Sequence, residues 1–150
     1  MAETGLLTFA GLEPGQRFES TRRTISESDL AMSCMLSGDW SPVHADAVFG
    51  ATQPAGRTVL HGSFGIMLAL GFAAQIFRLR EPVLALLGLD EWRFAGPLVP
   101  GDTAYLAAEI VSTRVTSSGD KGIITSRLSL LCHDGRTVQE GLHKLMVAVA

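Results

Sequence analysis

The chain has 150 residues and a mass of 16.0 kDa, the size of one ordinary domain, 1–150, with little room for a second core. Hydrophobic residues make up 47% and charged residues 18%, which excludes a disordered, highly charged chain. The net charge of −3 gives no electrostatic footprint for nucleic acid, and a mean hydropathy of +0.27 points to an oligomer that hides more surface than one small subunit can.

Met1 to Gly15 is acidic and has no apolar core of signal-peptide length, so the expected location is the cytoplasm. Cys34 and Cys132 stand 98 positions apart, with no CxxC pair. They read as single buried thiols rather than a disulfide scaffold or a zinc site. Arg17 to Ile25 is short and β-like. Ser26-Glu27-Ser28-Asp29 sets a capping hydroxyl three residues before an acid and predicts a helix that stops by Gly38. Asp39 to Ala45, with Pro42, reads as a loop. Asp46 can cap a second short helix to about Ala51, and Gln53 to Gly56 is again a loop.

Val59 to Phe77 carries no Asp, Glu, Lys or Arg over 19 positions, close to the length of a membrane span. His61, Ser63, Gln75 and three glycines interrupt it, so it reads as a buried central helix and no membrane association is expected. After Pro82 the pattern changes to strands. Leu84, Leu86, Trp92 and Phe94 are spaced for alternate faces, with Gly88 a candidate bulge. Gly96 to Asp102 is a turn. Leu106, Ala108 and Ile110 share one strand face. Ile124, Leu128, Leu130 and Cys132 share another, opposite Thr125, Arg127 and Ser129. Asp134-Gly135 marks a tight turn before a last strand from Thr137 to Val147. This order predicts an α+β domain in which an antiparallel sheet wraps a long apolar helix and a second subunit completes the cover.

The polar residues in the middle of the chain carry the chemistry. Ser37 to His44 presents a carboxylate, Asp39, and an imidazole, His44, five positions apart on a turn stiffened by proline. Such a pair can converge on one water molecule and move its protons. The plainer alternative makes Asp39 a turn cap and His44 a surface histidine. His61-Gly62 opens the long helix, where backbone N–H groups lack partners and a glycine permits close approach of a carbonyl. The alternatives there are tight packing for Gly62 and a structural hydrogen bond for His61.

Together these residues resemble the MaoC-like acyl-thioester hydratases and dehydratases of the hot-dog fold, which include the (R)-specific enoyl-CoA hydratases. Gly38-Asp39-Trp40-Ser41-Pro42-Val43-His44 fits the family's Gly-Asp-x-Asn-Pro-x-His loop except at Ser41. His61-Gly62 follows at the family's distance. Phe94 to Asp102 resembles its Phe-x-x-Pro-x-x-x-Gly-Asp turn, and the likeness extends from Phe18 to Val147. The resemblance implies a dimeric hot-dog fold, with Asp39 and His44 as catalytic pair, Gly62 N–H as oxyanion donor, and Ser41 and Pro42 as loop support. It further implies reversible hydration of trans-2-enoyl thioesters without metal or redox cofactor, CoA or a carrier-protein thioester being part of the substrate. Two positions depart from the family. Ser41 replaces asparagine, and Leu70 stands where some members carry a helix serine.

Trp40, His61, Phe64, Met67 and Leu70, with Leu36, are candidates for the acyl pocket, against ordinary core as the plainer reading. Arg22, Arg23, Arg57, Arg78 and Arg80 are candidates for CoA phosphates, against solvated surface charge. A thioesterase, or an acyl-thioester-binding subunit with an idle dyad, is the alternative function. The expected assembly is a homodimer or a dimer of dimers.

Overall fold

The structure is a computed structural model and describes residues 5–149; the first four residues of the acidic N-terminal stretch lie outside it. Two short strands, β1 (Arg17–Glu19) and β2 (Arg23–Thr24), precede three helices. These are α1 (Glu27–Ser37), α2 (Pro42–Ala45) and α3 (Ala47–Ala51), and the long helix α4 (Gly62–Ile76) follows. Four long strands complete the chain: β3 (Val83–Phe94), β4 (Thr103–Val115), β5 (Lys121–Cys132) and β6 (Thr137–Ala148). All pair antiparallel in the order β1-β4-β5-β6-β3, with β2 also on β4.

Local chemistry sets the ends of α1. The Ser26 hydroxyl accepts from the Asp29 N–H, and the Asp29 carboxylate accepts from the Ser26 N–H, which pairs two amides that the helix itself leaves free. Gly38 ends the helix at φ 71°, a left-handed conformation that costs glycine little. Asp46 caps α3 by accepting from Val48 and Phe49 N–H. The stretch from Asp39 to Ala45 is not wholly a loop. Pro42 stands at the first position of α2, where its missing N–H costs no helical bond and its fixed φ suits the turn.

Alternation along β4 and β5 buries Leu106, Ala108, Ile110, Ile124, Leu128, Leu130 and Cys132 on one face. Leu68, Ala69, Phe72 and Ala73 of α4 join them in the core. Both cysteines are buried and free. The chain encloses only one side of α4: Met67 is exposed, as are Gly71 and Ala74. β3 is an edge strand, paired to β6 alone, and its Val83, Leu84, Leu86, Leu87 and Phe94 are exposed. Its register shifts at three places, one of them between Leu86 and Gly88, so period-two alternation does not carry through it. Among the described residues no helix is long and apolar enough to cross a membrane.

Candidate active site

Asp39, His44 and His61 meet where α1, α2 and α4 converge. The turn after Gly38 aims the Asp39 carboxylate back at its own loop. Asp39 Oδ1 accepts from the Ser41 N–H at 3.0 Å and from the Ser41 hydroxyl, which leaves Oδ2 free. The Ser41 hydroxyl, with its N–H, holds this carboxyl below the usual carboxylate range, so the group is ionised at neutral pH. Ser41 thus supports the loop directly, and Pro42 starts the helical turn that presents His44.

The backbone determines the proton position on each imidazole. His44 Nδ1 lies 2.7 Å from the Val59 carbonyl, which only accepts; Nδ1 therefore carries the hydrogen, and Nε2 of the neutral ring presents a lone pair. That lone pair stands 3.7 Å from Asp39 Oδ2, too far for a direct hydrogen bond, so both atoms are open to a third. His61 Nε2 lies 2.9 Å from the Asp39 carbonyl and is therefore the donor there. Its Nδ1 then accepts from the Ser33 hydroxyl at 2.8 Å. His61 is buried and stacks on His44 with centroids 3.7 Å apart and planes at 22°. It buttresses His44 and the Asp39 backbone and occupies the N-cap position of α4.

Asp39, His44 and His61 lie close enough together to suggest a metal ion. His44 Nε2 and His61 Nε2 stand 3.7 and 3.6 Å from Asp39 Oδ2. His61 Nε2 is also occupied as a donor.

Gly62 opens α4 at the positive end of the helix dipole; the Phe64 N–H already donates to the His61 carbonyl at 3.0 Å, while the Gly62 N–H has no hydrogen-bond partner among the described residues. A side chain here would stand 2.7 Å from the Phe94 ring. The Gly62 carbonyl accepts from Gln139 Nε2 at 2.8 Å, and Gln139 Oε1 accepts from the Trp92 indole N–H at 2.9 Å. This buried carboxamide pins the first turn of α4 to β6, filling the space that glycine at 65 leaves open.

The candidate pocket residues do not form one pocket. Trp40, largely exposed, lines a cavity of about 190 Å³ with His44, Leu30 and Cys34. Phe64 and Met67 line a groove with Arg23 and Gln75. Leu70 lines a third cavity, with Phe77 and His143. The reason is helical geometry: six residues at about 100° each place Leu70 about 120° around the axis from Phe64. Leu36 is exposed on α1. Among the arginines, Arg23 pairs with Asp29, Arg57 with Glu27 and Arg22 with Glu19, Arg22 also lying over the Tyr105 ring.

Ser33, Ser37, Trp92 and Gln139 also support the site, Ser37 by accepting from the Asp39 N–H at 3.1 Å, and the sequence pattern does not single them out. Ser33 follows Leu30 by three positions and so shares the buried stripe of α1. Gln139 stands beside Glu140 in a strand of mixed polarity, and only its burial between the Gly62 carbonyl and the Trp92 indole marks it.

An antiparallel sheet with a long helix across it is the hot-dog architecture, and here a carboxylate–imidazole pair stands at that helix's N-terminus. The model of the MaoC-like domain matches residues 9–129, and the chain belongs to that family. It is 29% identical over 143 residues to the (R)-specific enoyl-CoA hydratase of Rhodospirillum rubrum, covering 93% of this chain and 90% of that one. It is 36% identical over 95 residues to Protein MaoC of Klebsiella aerogenes, covering 63% of this chain but only 28% of that much longer relative. A solved structure titled a monoamine oxidase regulatory protein from Archaeoglobus fulgius superposes with a TM-score of 0.86 at 25% identity, over 97% of this chain and 96% of that one. A Mycobacterium tuberculosis protein described as having a double hot-dog fold gives 0.83 at 22% identity, over 97% of this chain and 45% of that one.

Proposed function

We propose that the protein catalyses the reversible addition of water to trans-2-enoyl thioesters, giving 3-hydroxyacyl thioesters. One observation carries this reading: Asp39 Oδ2 and the His44 Nε2 lone pair are each fixed from behind and stand 3.7 Å apart, with His44 stacked on His61, the N-cap of α4. A water molecule between them has both protons engaged. Its oxygen attacks the β-carbon while the dyad takes one proton. The electron pair of the double bond moves toward the thioester carbonyl, whose oxygen the Gly62 N–H receives. A proton from the dyad then reaches the α-carbon, so the pair ends as it began and H and OH have been added across the double bond. The hydratase name of the Rhodospirillum relative supports the same chemistry. The substrate's thiol is CoA or a carrier-protein arm, and no metal takes part.

The test is loss of the conjugated enoyl absorbance with crotonyl-CoA and longer enoyl-CoA substrates, with free thiol assayed in parallel. Absorbance should fall without thiol release. Thiol release from acyl-CoA would instead support the thioesterase alternative. No turnover across the panel would falsify the hydratase reading.

A second copy of the chain is the proposed partner. The edge strand β3 leaves one row of backbone groups unpaired beside exposed Val83, Leu84, Leu86 and Leu87, and pairing two such edges would satisfy and bury both. Solution mass should be twice 16.0 kDa or a multiple of that dimer; a strict monomer would overturn the assignment.

A further inference from the structure

Between the second half of α4 and strands β3 and β6 lies a cavity of about 340 Å³, apart from the dyad. Leu70, Ala73, Phe77 and Leu145 make its wall apolar together with Val83 and Leu86 of β3, the strand proposed above to meet the second copy, so the cavity borders that interface. The polar exception is His143, only 3% exposed. Its Nδ1 meets the Ser126 hydroxyl at 3.2 Å, and this is its one hydrogen bond among the described residues. Among those residues no fully enclosed side-chain polar atom lacks a partner, so Nε2 faces the open space of the cavity. Ser126 is 0% exposed. Its hydroxyl proton is best placed on Nδ1, because any other direction leaves it unpaired in the core. Nε2 is then an N–H donor bordering an apolar cavity. Burial holds the imidazole pKa down at about 4, so the ring that does this is neutral.

The cavity lies in line with the dyad. Gly62, Ile66, Leu70, Ala73 and Phe77 recur at steps of four and three, one stripe along α4 from the oxyanion position to the cavity wall. β6 runs the same way: Gln139, on the Gly62 carbonyl, and His143 are both buried and four residues apart. Four strand residues span about 13 Å. An extended chain advances about 1.2 Å per bond, so about ten bonds separate the two ends.

We infer that His143 makes this cavity a receptor for an oxygenated acyl tail: a hydroxyl, ether or carbonyl oxygen about ten bonds from the thioester carbon accepts from Nε2–H. A carboxylate does not suit it, because the facing groups are apolar and the ring is neutral. The inference rests on the enoyl-thioester reading of the dyad and names the substrate class that goes with it. A plain alkyl tail fits the walls but leaves the donor unpaired.

The test compares dissociation constants, by calorimetry, of a saturated acyl-CoA of about twelve carbons and its counterpart hydroxylated next to the chain end. The wild-type protein should bind the hydroxylated chain about tenfold more tightly, the gain from one buried hydrogen bond. His143→Leu should erase the preference, and His143→Gln, which keeps a donor, should retain part of it. Equal affinities in the wild type, no binding of either chain, or a preference that survives His143→Leu would overturn the inference. The wild-type comparison needs no variant and decides even if His143→Leu fails to fold. Saturated chains cannot be hydrated, so failure of crotonyl-CoA turnover would remove the activity reading while leaving this binding comparison to stand or fall alone.

Discussion

Replacing Asp39 by asparagine should lower kcat for crotonyl-CoA hydration by about 10²–10⁴-fold, the range a positioned proton-transfer group supplies. The fold should be untouched. Asp39 is exposed and makes no direct hydrogen bond from its carboxylate to His44 or the buried His61, and the asparagine oxygen can still accept from the Ser41 N–H and hydroxyl. What disappears is the anionic oxygen opposite His44. An amide nitrogen placed there donates where the water needs an acceptor. The loss should fall on kcat with KM little changed, because the missing interaction matters most in the transition state. His44→Gln should match it in size, and the double variant should be no worse than the weaker single one, since the two groups act on one water. Initial rates beside a thermal melt check this. A variant that keeps more than a tenth of wild-type kcat would remove Asp39 from the chemistry. A collapse in Tm would mean instead that Asp39 serves as a turn cap.

Much of this site was legible because its backbone signals are local. The Ser26/Asp29 capping box and Gly38 delimit α1 in the sequence as they do in the structure, and Asp39 follows directly on that stop. Alternation in β4 and β5 was readable because one face of each is buried in an unbroken register over most of its length. The parts that escaped depend on contacts between distant segments. Ser33 and His61 are 28 positions apart, and Gln139 and Gly62 are 77 apart. A helix serine or a strand glutamine has no period that announces its partner. β3 escaped for another reason: its bulges and its free edge leave both faces partly exposed, so its apolar residues do not sort into an inward and an outward set. The candidate pocket residues line separate cavities because proximity in sequence along α4 is not proximity around its axis. Leu70 belongs with His143, not with Phe64.

The same buried imidazole should make the protein sensitive to mild acid. His143 has its pKa held down at about 4 by burial, against 6.5 for a free histidine. As pH falls from 7 toward 4 the unfolded chain takes up a proton at this residue and the folded chain does not. Stability therefore declines through that window, and the decline ends near pH 4, below which both states are protonated. A gap of this size implies a loss of about 2 kcal/mol between pH 7 and 5 and about 3 kcal/mol by pH 4. The carboxylates at Asp29 and Asp39 act lower. Burial tends to raise the Asp29 carboxyl, but Ser26 and Arg23 more than offset that, and its pKa lies below the ordinary range. Its stabilising contribution is present above the unfolded carboxyl's pKa and disappears only as pH drops through the depressed folded value. Denaturant unfolding of the wild type and of His143→Gln, at pH 7, 6 and 5, isolates the histidine, because glutamine can keep the bond to Ser126 without titrating. The wild-type curve should fall away from that of the variant by about 2 kcal/mol at pH 5. Parallel curves would mean that His143 takes up its proton over the same pH range folded and unfolded, so that burial does not hold its pKa down.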